Sequence, residues 1–454
     1  MSLTQFPSPW NTDPLRGDLG AETMLSDDEV NYLRWLGKSV YTGAGRVVEL
    51  GSFLGGSTLA LCSGLAENPA WTTPLLAYDR FIMFSDQENR YTHIAQPGES
   101  FFPVFQNNVR RYAERITARP MSLPDPLPGV DRTDAVYPER EPIEILFIDA
   151  AKSWPVHLTI LEVFGPHLIP DTSIVIQQDF KWATVFYLPL HMYQLRDCFE
   201  PVHDVNTAST TAFLYTGGIE RLLPSLYKPQ DFDADSANRI WDEIDSYWSQ
   251  RLQGTMTHML RLLRAQHLAS LGANDEAASV LESALTPAIR DGCDLMLYGV
   301  IYASTRLLER LESAPEIAAR IRTCRDTAEQ ARPDIRHRLV LQAVEAVIPS
   351  DFTGKRPTAI LFGAGLFTKR LLSRGTGELP FKPLAIVDDH APLDTLAGVP
   401  VVRPTDLAPH ATADFVLISS DAHADALESR ARATLGDDIP IVRLDHSSRI
   451  TVAP

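Results

Sequence analysis

The sequence predicts an α/β protein with a doubly wound parallel sheet in its first half, an all-α middle region and a second, smaller α/β domain at the C-terminal end. Three observations lead to this fold class. Short apolar runs alternate with helix-like segments up to about residue 219, helical spacing of apolar residues continues to about 350, and the alternation then returns. A chain of 454 residues also exceeds one ordinary domain. We therefore expect three domains, at 1–219, 220–350 and 351–454.

The first strand, turn and helix are predicted in the segment "RVVELGSFLGGSTLALCSGL", which covers residues 46–65. The β-branched Val47 and Val48 lead into a turn that contains Gly51 and Gly55, and leucines follow at helical spacing. Such a turn directs free backbone N–H groups at a ligand. The segment lacks the Lys-Ser/Thr pair of a phosphate loop and is a poor dinucleotide fingerprint. An ordinary tight turn between strand and helix is the alternative.

The later strands of this domain end in acidic residues. "TPLLAYD" ends at Asp79, "IEILFID" at Asp149 and "SIVIQQD" at Asp179, and "TAFLYTGG" closes the sheet by about Gly218. The carboxyl ends of parallel strands form the edge where open α/β sheets bind ligands. Asp79 is placed to accept hydrogen bonds from both hydroxyls of a ribose, or else it is a turn or helix-capping acid.

The most informative segment is "LFIDAAKSW", in which Asp149 and Lys152 form D-x-x-K just past a buried strand. Two carboxylates, Asp149 and Asp179, on neighbouring strand ends suit Mg²⁺ or another divalent cation. A lysine desolvated beside a metal can act as a base on a hydroxyl. The third metal ligand is unassigned, because Asp179 precedes Phe180, and Gln177 or Gln178 can serve only if the strand end twists. A surface ion pair is the alternative for Asp149 and Lys152.

These motifs resemble those of the Rossmann-like, class I S-adenosylmethionine (SAM)-dependent methyltransferases. E-x-G-x-x-x-G-x-S resembles their first motif, and D-x-x-K with a second Asp resembles the catechol and caffeoyl-CoA type of O-methyltransferase; the related macrocin-type sugar O-methyltransferases commonly carry His at position 152. The resemblance covers approximately residues 40–216, and it departs at Phe180, where the metal-binding families have Asn. It implies metal binding by Asp149 and Asp179 and a base at Lys152. The implied cofactor-binding residues are Glu49, Gly51, Ser52, Gly55, Ser57 and Asp79.

A long connection follows Asp79 and mixes aromatic with charged residues, among them His93. Its length predicts a lid over the site, although a solvated loop is the more ordinary interpretation of His93. The helical region at 220–350 has no clean repeat period. We expect it to be a spacer or the interface of a homodimer.

The C-terminal domain begins with a second strand, glycine turn and helix, "TAILFGAGLFTKRLLSRG". Gly363 and Gly365 start the turn, Thr368 stands where a dinucleotide fingerprint has its third glycine, and Asp388 ends the next strand. The domain resembles small Rossmann-like domains attached to surface-polysaccharide and nucleotide-sugar enzymes. This resemblance implies NAD or a nucleotide sugar as ligand, the alternative being a degenerate domain kept for packing.

The composition limits the classes of partner. The formal net charge of −17 disfavours nucleic acid as a partner. The chain has no apolar run of the roughly 18 residues that a membrane span needs, its N-terminus does not resemble an export signal, and its four cysteines are scattered. We expect a cytoplasmic protein without membrane insertion whose partner is a small molecule.

Together these observations predict an O-methyltransferase that uses SAM to methylate a hydroxyl of a sugar, a nucleotide-linked sugar or another small polyhydroxylated acceptor. Catalysis would come mainly from alignment and desolvation. The alternatives are an NAD-dependent or nucleotide-sugar-binding protein with an inactive methyltransferase domain, and a non-enzymatic assembly protein.

Overall fold

The protein is described by a computed structural model. It covers residues 8–12, 15, 19–83, 91, 93–122, 136–182, 185–205, 208–252, 259–291, 294–309, 314–347, 356–363, 366–372, 375–377, 379–388, 394–407, 413–418, 424–436, 438–444 and 450–453. The chain divides into two compact units. The first consists of Met1–Pro287 with Tyr298–Asp326, and the second of Ala288–Leu297 with Thr327–Pro454.

The first unit contains a seven-stranded sheet in the order β3-β2-β1-β4-β5-β7-β6. All neighbouring strands are parallel except β7, which runs antiparallel to both β5 and β6. The order reverses between β1 and β4, so their carboxyl ends form the switch point where such sheets bind ligands. The strands are β1 Arg46–Leu50, β2 Leu75–Asp79, β3 Ile116–Pro120, β4 Ile143–Ile148, β5 Ile174–Gln177, β6 Phe199–Asp204 and β7 Thr211–Tyr215.

Helices cover both faces of this sheet. Every residue of β4 and β5 is buried, because apolar clusters pack against both sides of the central strands. This burial explains why the central strands are almost continuously apolar. The helices of this part are α1 Asp27–Trp35, α2 Gly56–Leu65, α3 Phe102–Asn108, α4 Trp154–Phe164, α5 Tyr187–Gln194 and α6 Ile219–Leu222.

A run of helices follows the sheet in the sequence. Trp241, Ile244 and Trp248 line the buried face of the first of them. The indole N–H of Trp248 donates to the carbonyl of Pro189 at 3.3 Å, so this helix packs against α5. No helix in the described part of the chain combines the length and apolar content needed to cross a bilayer. The helices are α7 Ala234–Ser249, α8 Met259–Ser270, α9 Asn274–Arg290, α10 Asp294–Leu308 and α11 Pro315–Val347.

The second unit contains a smaller sheet in the order β10-β11-β9-β8-β12-β13-β14. Its five central strands are parallel, and the edge strands β10 and β14 are antiparallel to their neighbours. Its elements are β8 Thr358–Phe362, α12 Leu366–Leu371, β9 Lys382–Val387, β10 Thr395–Leu396, β11 Val399–Val402, β12 Phe415–Ile418, α13 Ala424–Leu435, β13 Ile441–Leu444 and β14 Ile450–Ala453.

The predicted fold class is confirmed. The chain has a doubly wound, Rossmann-like α/β sheet, an all-α middle region and a second Rossmann-like α/β sheet.

Candidate active site

The glycine turn after β1 lies directly against the end of β4. Gly51 has φ +98°, and a Cβ there would lie 2.9 Å from the amide nitrogen of Ala150 and 3.0 Å from the carbonyl carbon of Asp149. The amides of Asp149 and Ala150 both donate to the carbonyl of Leu50, at 2.8 and 2.9 Å. Glycine is therefore required at position 51, and the turn lies next to Asp149.

Gly55 precedes α2 and has φ +92°. A Cβ there would lie 2.8 Å from Cγ1 of Val109 and 3.3 Å from the ring of Phe105. Close packing of α3 thus accounts for this glycine without any ligand. Its approach to a cofactor stays a prediction.

Glu49 is a fully buried acid at the end of β1. The hydroxyl of Thr58 donates to Oε2 at 2.6 Å. Burial raises the pKa of Glu49, and the nearby hydroxyls of Ser57, Thr58 and Ser52 lower it by less. Oγ of Ser52 lies near enough to the carboxylate to lower its pKa, but neither this oxygen nor Oε1 of Glu49 makes a well-formed hydrogen bond in the part of the chain that the structure describes. Buried polar atoms of this kind are usually paired, so the two atoms suit a polar or cationic ligand group.

Asp79 fixes the turn after β1 and the turn after β2. Oδ2 accepts from the amide of Phe53 at 2.8 Å, and Oδ1 accepts from the amide of Phe81 at 2.7 Å. Both phenylalanines have positive φ, +43° and +54°, a conformation that needs such support. Asp79 is therefore a turn acid. Each carboxylate oxygen can accept a further bond, so its role in binding a ribose stays a prediction.

Asp149, Lys152 and Asp179 come together at the ends of β4 and β5. The ammonium of Lys152 donates to Oδ1 of Asp149 and, at 2.5 Å, to Oδ2 of Asp179. The carboxylate side chains are only 20% and 17% exposed, whereas the lysine side chain is 60% exposed. The lysine side chain thus approaches the two carboxylates from the solvent-exposed side of the strand ends, from which an acceptor would bind.

The electrostatics of this cluster keep Lys152 charged. Partial desolvation beside the two strand ends lowers the pKa of Lys152, but the charges of Asp149 and Asp179 raise it more, so this pKa lies above its ordinary value. Burial and the charge of Asp179 raise the pKa of Asp149 against the opposing effect of Lys152. Because a general base must first lose its proton, the arrangement favours a cation at position 152. The base role of Lys152 stays a prediction.

The two aspartates lie as close together as a shared metal ion would require, but the lysine ammonium lies between them. No group of three or more His, Cys, Asp or Glu that could hold a metal ion occurs among the residues that the structure describes. The amide of Gln177, one candidate for the missing ligand, is fully buried and contacts Nε2 of His157 at 2.9 Å.

A buried histidine pair lies behind the end of β5. Nδ1 of His157 and Nδ1 of His191 are 3.0 Å apart, and the rings are parallel within 10°. Burial lowers the pKa of both rings, that of His191 to about 4. A neutral, buried His157 is out of reach of an acceptor. His93, in contrast, is 58% exposed and contacts Glu22 at 2.8 Å.

Glu29 is a site residue that the sequence reasoning missed. Its carboxyl group, only 4% exposed as a residue, accepts at Oε2 from the amide and hydroxyl of Ser26 and at Oε1 from the hydroxyl of Thr210 at 2.6 Å. Thr210 and Ser209 also contact the carbonyl of Gln178, at 3.2 and 2.9 Å. Glu29 therefore supports the strand end that carries Asp179. The detectable signal was the S-x-x-E capping box in "SDDE".

The segment before α1 crosses the beginning of α2. A Cβ on Gly56 would lie 2.5 Å from Oγ1 of Thr23. The contact of Glu22 with His93 ties the same segment to the long connection after β2. The N-terminal segment thus packs against the start of α2 and contacts the connection after β2.

The C-terminal unit has its own glycine turn at the end of β8. Gly363 has φ +102°, and its amide donates to the carbonyl of Val387 at 2.9 Å. The hydroxyl of Thr368 donates to the carbonyl of Gly363, so this side chain closes the turn. The amide of Asp388 donates to the carbonyl of Val402 at 3.0 Å. Gly365 lies outside the described residues, and nucleotide binding here stays a prediction.

Comparison with known proteins gives little beyond the fold. No protein-family model matches the sequence, and no curated protein matches it. Among solved structures, the chain is similar to the one titled "Structure of the O-methyltransferase NovP", with a TM-score of 0.32 and 16% identity over 43% of this chain and 82% of that chain. A likeness of this degree adds nothing to the assignment of function, which depends on the geometry of the site.

Proposed function

We propose that the N-terminal unit is a SAM-dependent O-methyltransferase that acts on a hydroxyl of a sugar, a nucleotide-linked sugar or another small polyhydroxylated acceptor. One observation carries this proposal: the glycine turn and the Asp149–Lys152–Asp179 cluster are hydrogen-bonded neighbours at the switch point of the sheet. Methyl transfer needs a cofactor pocket and a polar acceptor site in direct contact.

The residues of the turn fit SAM. Its α-ammonium group and its sulfonium are cationic, and Oε1 of Glu49 is a buried carboxylate oxygen that lacks a partner among the described residues. The hydroxyl of Ser52 offers a second polar contact, and Asp79 has lone pairs left for a ribose. SAM supplies an already activated methyl group, so the protein's task is alignment and exclusion of water.

The charge cluster is placed to handle the acceptor hydroxyl. Lys152 has three N–H donors, of which two point at Asp149 and Asp179. The remaining donor can hold the acceptor oxygen, while Asp149, whose pKa is raised by its burial, takes the proton. If Lys152 instead first gives its proton to Asp149, the neutral amine of Lys152 is the base. These two assignments of the base, Asp149 or Lys152, predict different rates of methyl transfer for the Lys152→Arg variant.

An aromatic group beside the cluster supports a ring-shaped acceptor. The amide of Trp182 donates to the carbonyl of Asp179 at 2.8 Å, so the two residues are the ends of one hydrogen-bonded turn. Its ring lies 5.9 Å from that of Tyr298 and 5.5 Å from that of Tyr302. All three are partly exposed. Aromatic walls with a few placed polar groups are typical of small-molecule sites.

Thermal shift with SAM and with NAD, measured separately on the full chain, tests the proposal against its rivals. A ligand at a hundred times its Kd stabilises the native state by about 2.7 kcal/mol. We expect SAM to raise Tm in this way. A shift with NAD alone would favour the NAD-dependent or nucleotide-sugar-binding alternative, and no shift with either ligand would favour an assembly protein.

A further inference from the structure

We propose that Lys152 is a built-in cation that takes the place of a divalent metal ion between Asp149 and Asp179. The inference rests on the proposed methyltransferase function, because the resemblance to the catechol type implies a metal at these two aspartates. The residues present do not fit that ion. The disagreement gives Lys152 a role other than the one the resemblance implies.

The ammonium of Lys152 excludes such an ion sterically. Nζ of Lys152 lies 2.5 Å from Oδ2 of Asp179 and also contacts Oδ1 of Asp149. A divalent ion such as Mg²⁺ or Ca²⁺ lies about 2.0–2.6 Å from its oxygen ligands. The ammonium therefore occupies the position that such an ion would need. The ion and the lysine cannot both bridge these carboxylates.

The surroundings of Asp149 and Asp179 supply few further ligands for a metal ion. A hard cation takes six or more oxygen ligands, of which the protein usually supplies several. The carboxyl of Glu29 is bonded to Ser26 and Thr210, and the fully buried amide of Gln177 contacts His157 through Nε2, so that only its Oε1 lacks a partner among the described residues. The ring of Phe180, at the position after Asp179, packs against Trp248. The lysine neutralises one of the two aspartate charges without needing further oxygen ligands.

The consequence is a permanent cation at the acceptor site. It needs no metal uptake, and its third N–H remains available to an acceptor oxygen because the side chain is 60% exposed. Because the chain itself supplies this ammonium between the two carboxylates, the position of the acceptor oxygen does not depend on the supply of divalent ions.

Binding of Mn²⁺ tests this inference without SAM or an acceptor. The full chain, the variants Lys152→Met and Lys152→Arg, and the double variant Lys152→Met/Asp179→Asn are titrated with MnCl₂, followed by electron paramagnetic resonance and by Tm. We expect Lys152→Met, which leaves two facing carboxylates, to bind Mn²⁺ on the order of tenfold or more tightly than the unmodified chain. The Lys152→Arg control keeps the cation and gains nothing, and the double variant loses the gain.

Two results would overturn the inference. One is saturable Mn²⁺ binding to the unmodified chain that Asp149→Asn abolishes. The other is the absence of any gain in folded Lys152→Met, with Lys152→Gln as the replacement if circular dichroism shows that Lys152→Met does not fold. Since SAM binding is measured separately by thermal shift, failure here and failure of the proposed function remain distinguishable.

Discussion

Replacement of Glu49 by glutamine separates a cofactor-binding acid from a structural one. Glutamine has nearly the same shape, and its carbonyl oxygen can still accept the hydrogen bond of Thr58. Only the negative charge is removed. Because burial raises the pKa of Glu49 and so disfavours the charged form, we expect the free energy of unfolding to change by about 1 kcal/mol or less.

The effect on SAM binding is expected to be much larger. A hydrogen bond to a charged group contributes about 1.5–3 kcal/mol, and 1.4 kcal/mol corresponds to a tenfold change in Kd, so the variant should bind SAM about 10- to 150-fold more weakly. The raised pKa gives the effect a pH dependence. The affinity of the unmodified chain for SAM, whose α-ammonium group contacts Glu49 in this proposal, should increase as pH rises through the folded-state pKa of Glu49. The Glu49→Gln variant should lack this increase.

Isothermal titration calorimetry with SAM measures both effects, and Glu144→Gln is the matched control. Glu144 is also buried, but it lies at the opposite end of β4, where it accepts from Thr42 and from the amide of Gly45 at 3.1 Å. Its replacement should lower the free energy of unfolding by about 1–3 kcal/mol and leave SAM affinity unchanged. The reasoning is refuted if Glu49→Gln binds SAM as tightly as the unmodified chain, or if both variants weaken binding equally.

Three further predictions concern the rest of the site. Lys152→Met should lower methyl transfer about a hundredfold or more at unchanged SAM affinity, whereas Lys152→Arg should keep a larger part of the rate; equal losses in the two variants would identify the lysine as the base. Burial raises the pKa of Glu29 in the folded state above its ordinary value of 4.5. The free energy of unfolding of the unmodified chain should therefore fall as pH rises from the unfolded-state pKa through the folded-state pKa of Glu29, by about 1.4 kcal/mol for each pH unit between these two pKa values. The Tm of Glu29→Gln relative to the unmodified chain should therefore increase with pH, and a constant difference would show that Glu29 folds as an anion. Gly51→Ala should be less stable, by denaturant unfolding, than Gly98→Ala, because both positions have positive φ but only a Cβ at 51 meets backbone atoms; equal losses would exclude the clash as the cause.

The sequence contained most of the information about the sheet. Its central strands are buried on both faces and so are almost continuously apolar, which made β1, β4 and β5 recognisable without any partner. The parallel order then places Asp149 and Asp179 at one edge, and the D-x-x-K spacing adds Lys152. The three residues predicted to act together do lie together.

The sequence could not show what each side chain contacts. Glu29 is 150 positions from Asp179 in the sequence. Its carboxyl group accepts a hydrogen bond from the Thr210 hydroxyl only in the folded chain. The spacing of Asp149 and Lys152 suits an ion pair, a metal site and a base equally well. Which of these forms depends on the direction of the ammonium and on the balance of burial and charge, and neither is encoded in a local pattern.

A crystal structure of the full chain with S-adenosylhomocysteine, the demethylated form of the cofactor, tests the central claim most directly. We predict that the ligand lies over the turn at 51–57, with its amino group within hydrogen-bond distance of Oε1 of Glu49 and its sulfur directed toward the Asp149–Lys152–Asp179 cluster. A ligand bound only in the C-terminal unit, or one that leaves Glu49 uncontacted, would contradict the account.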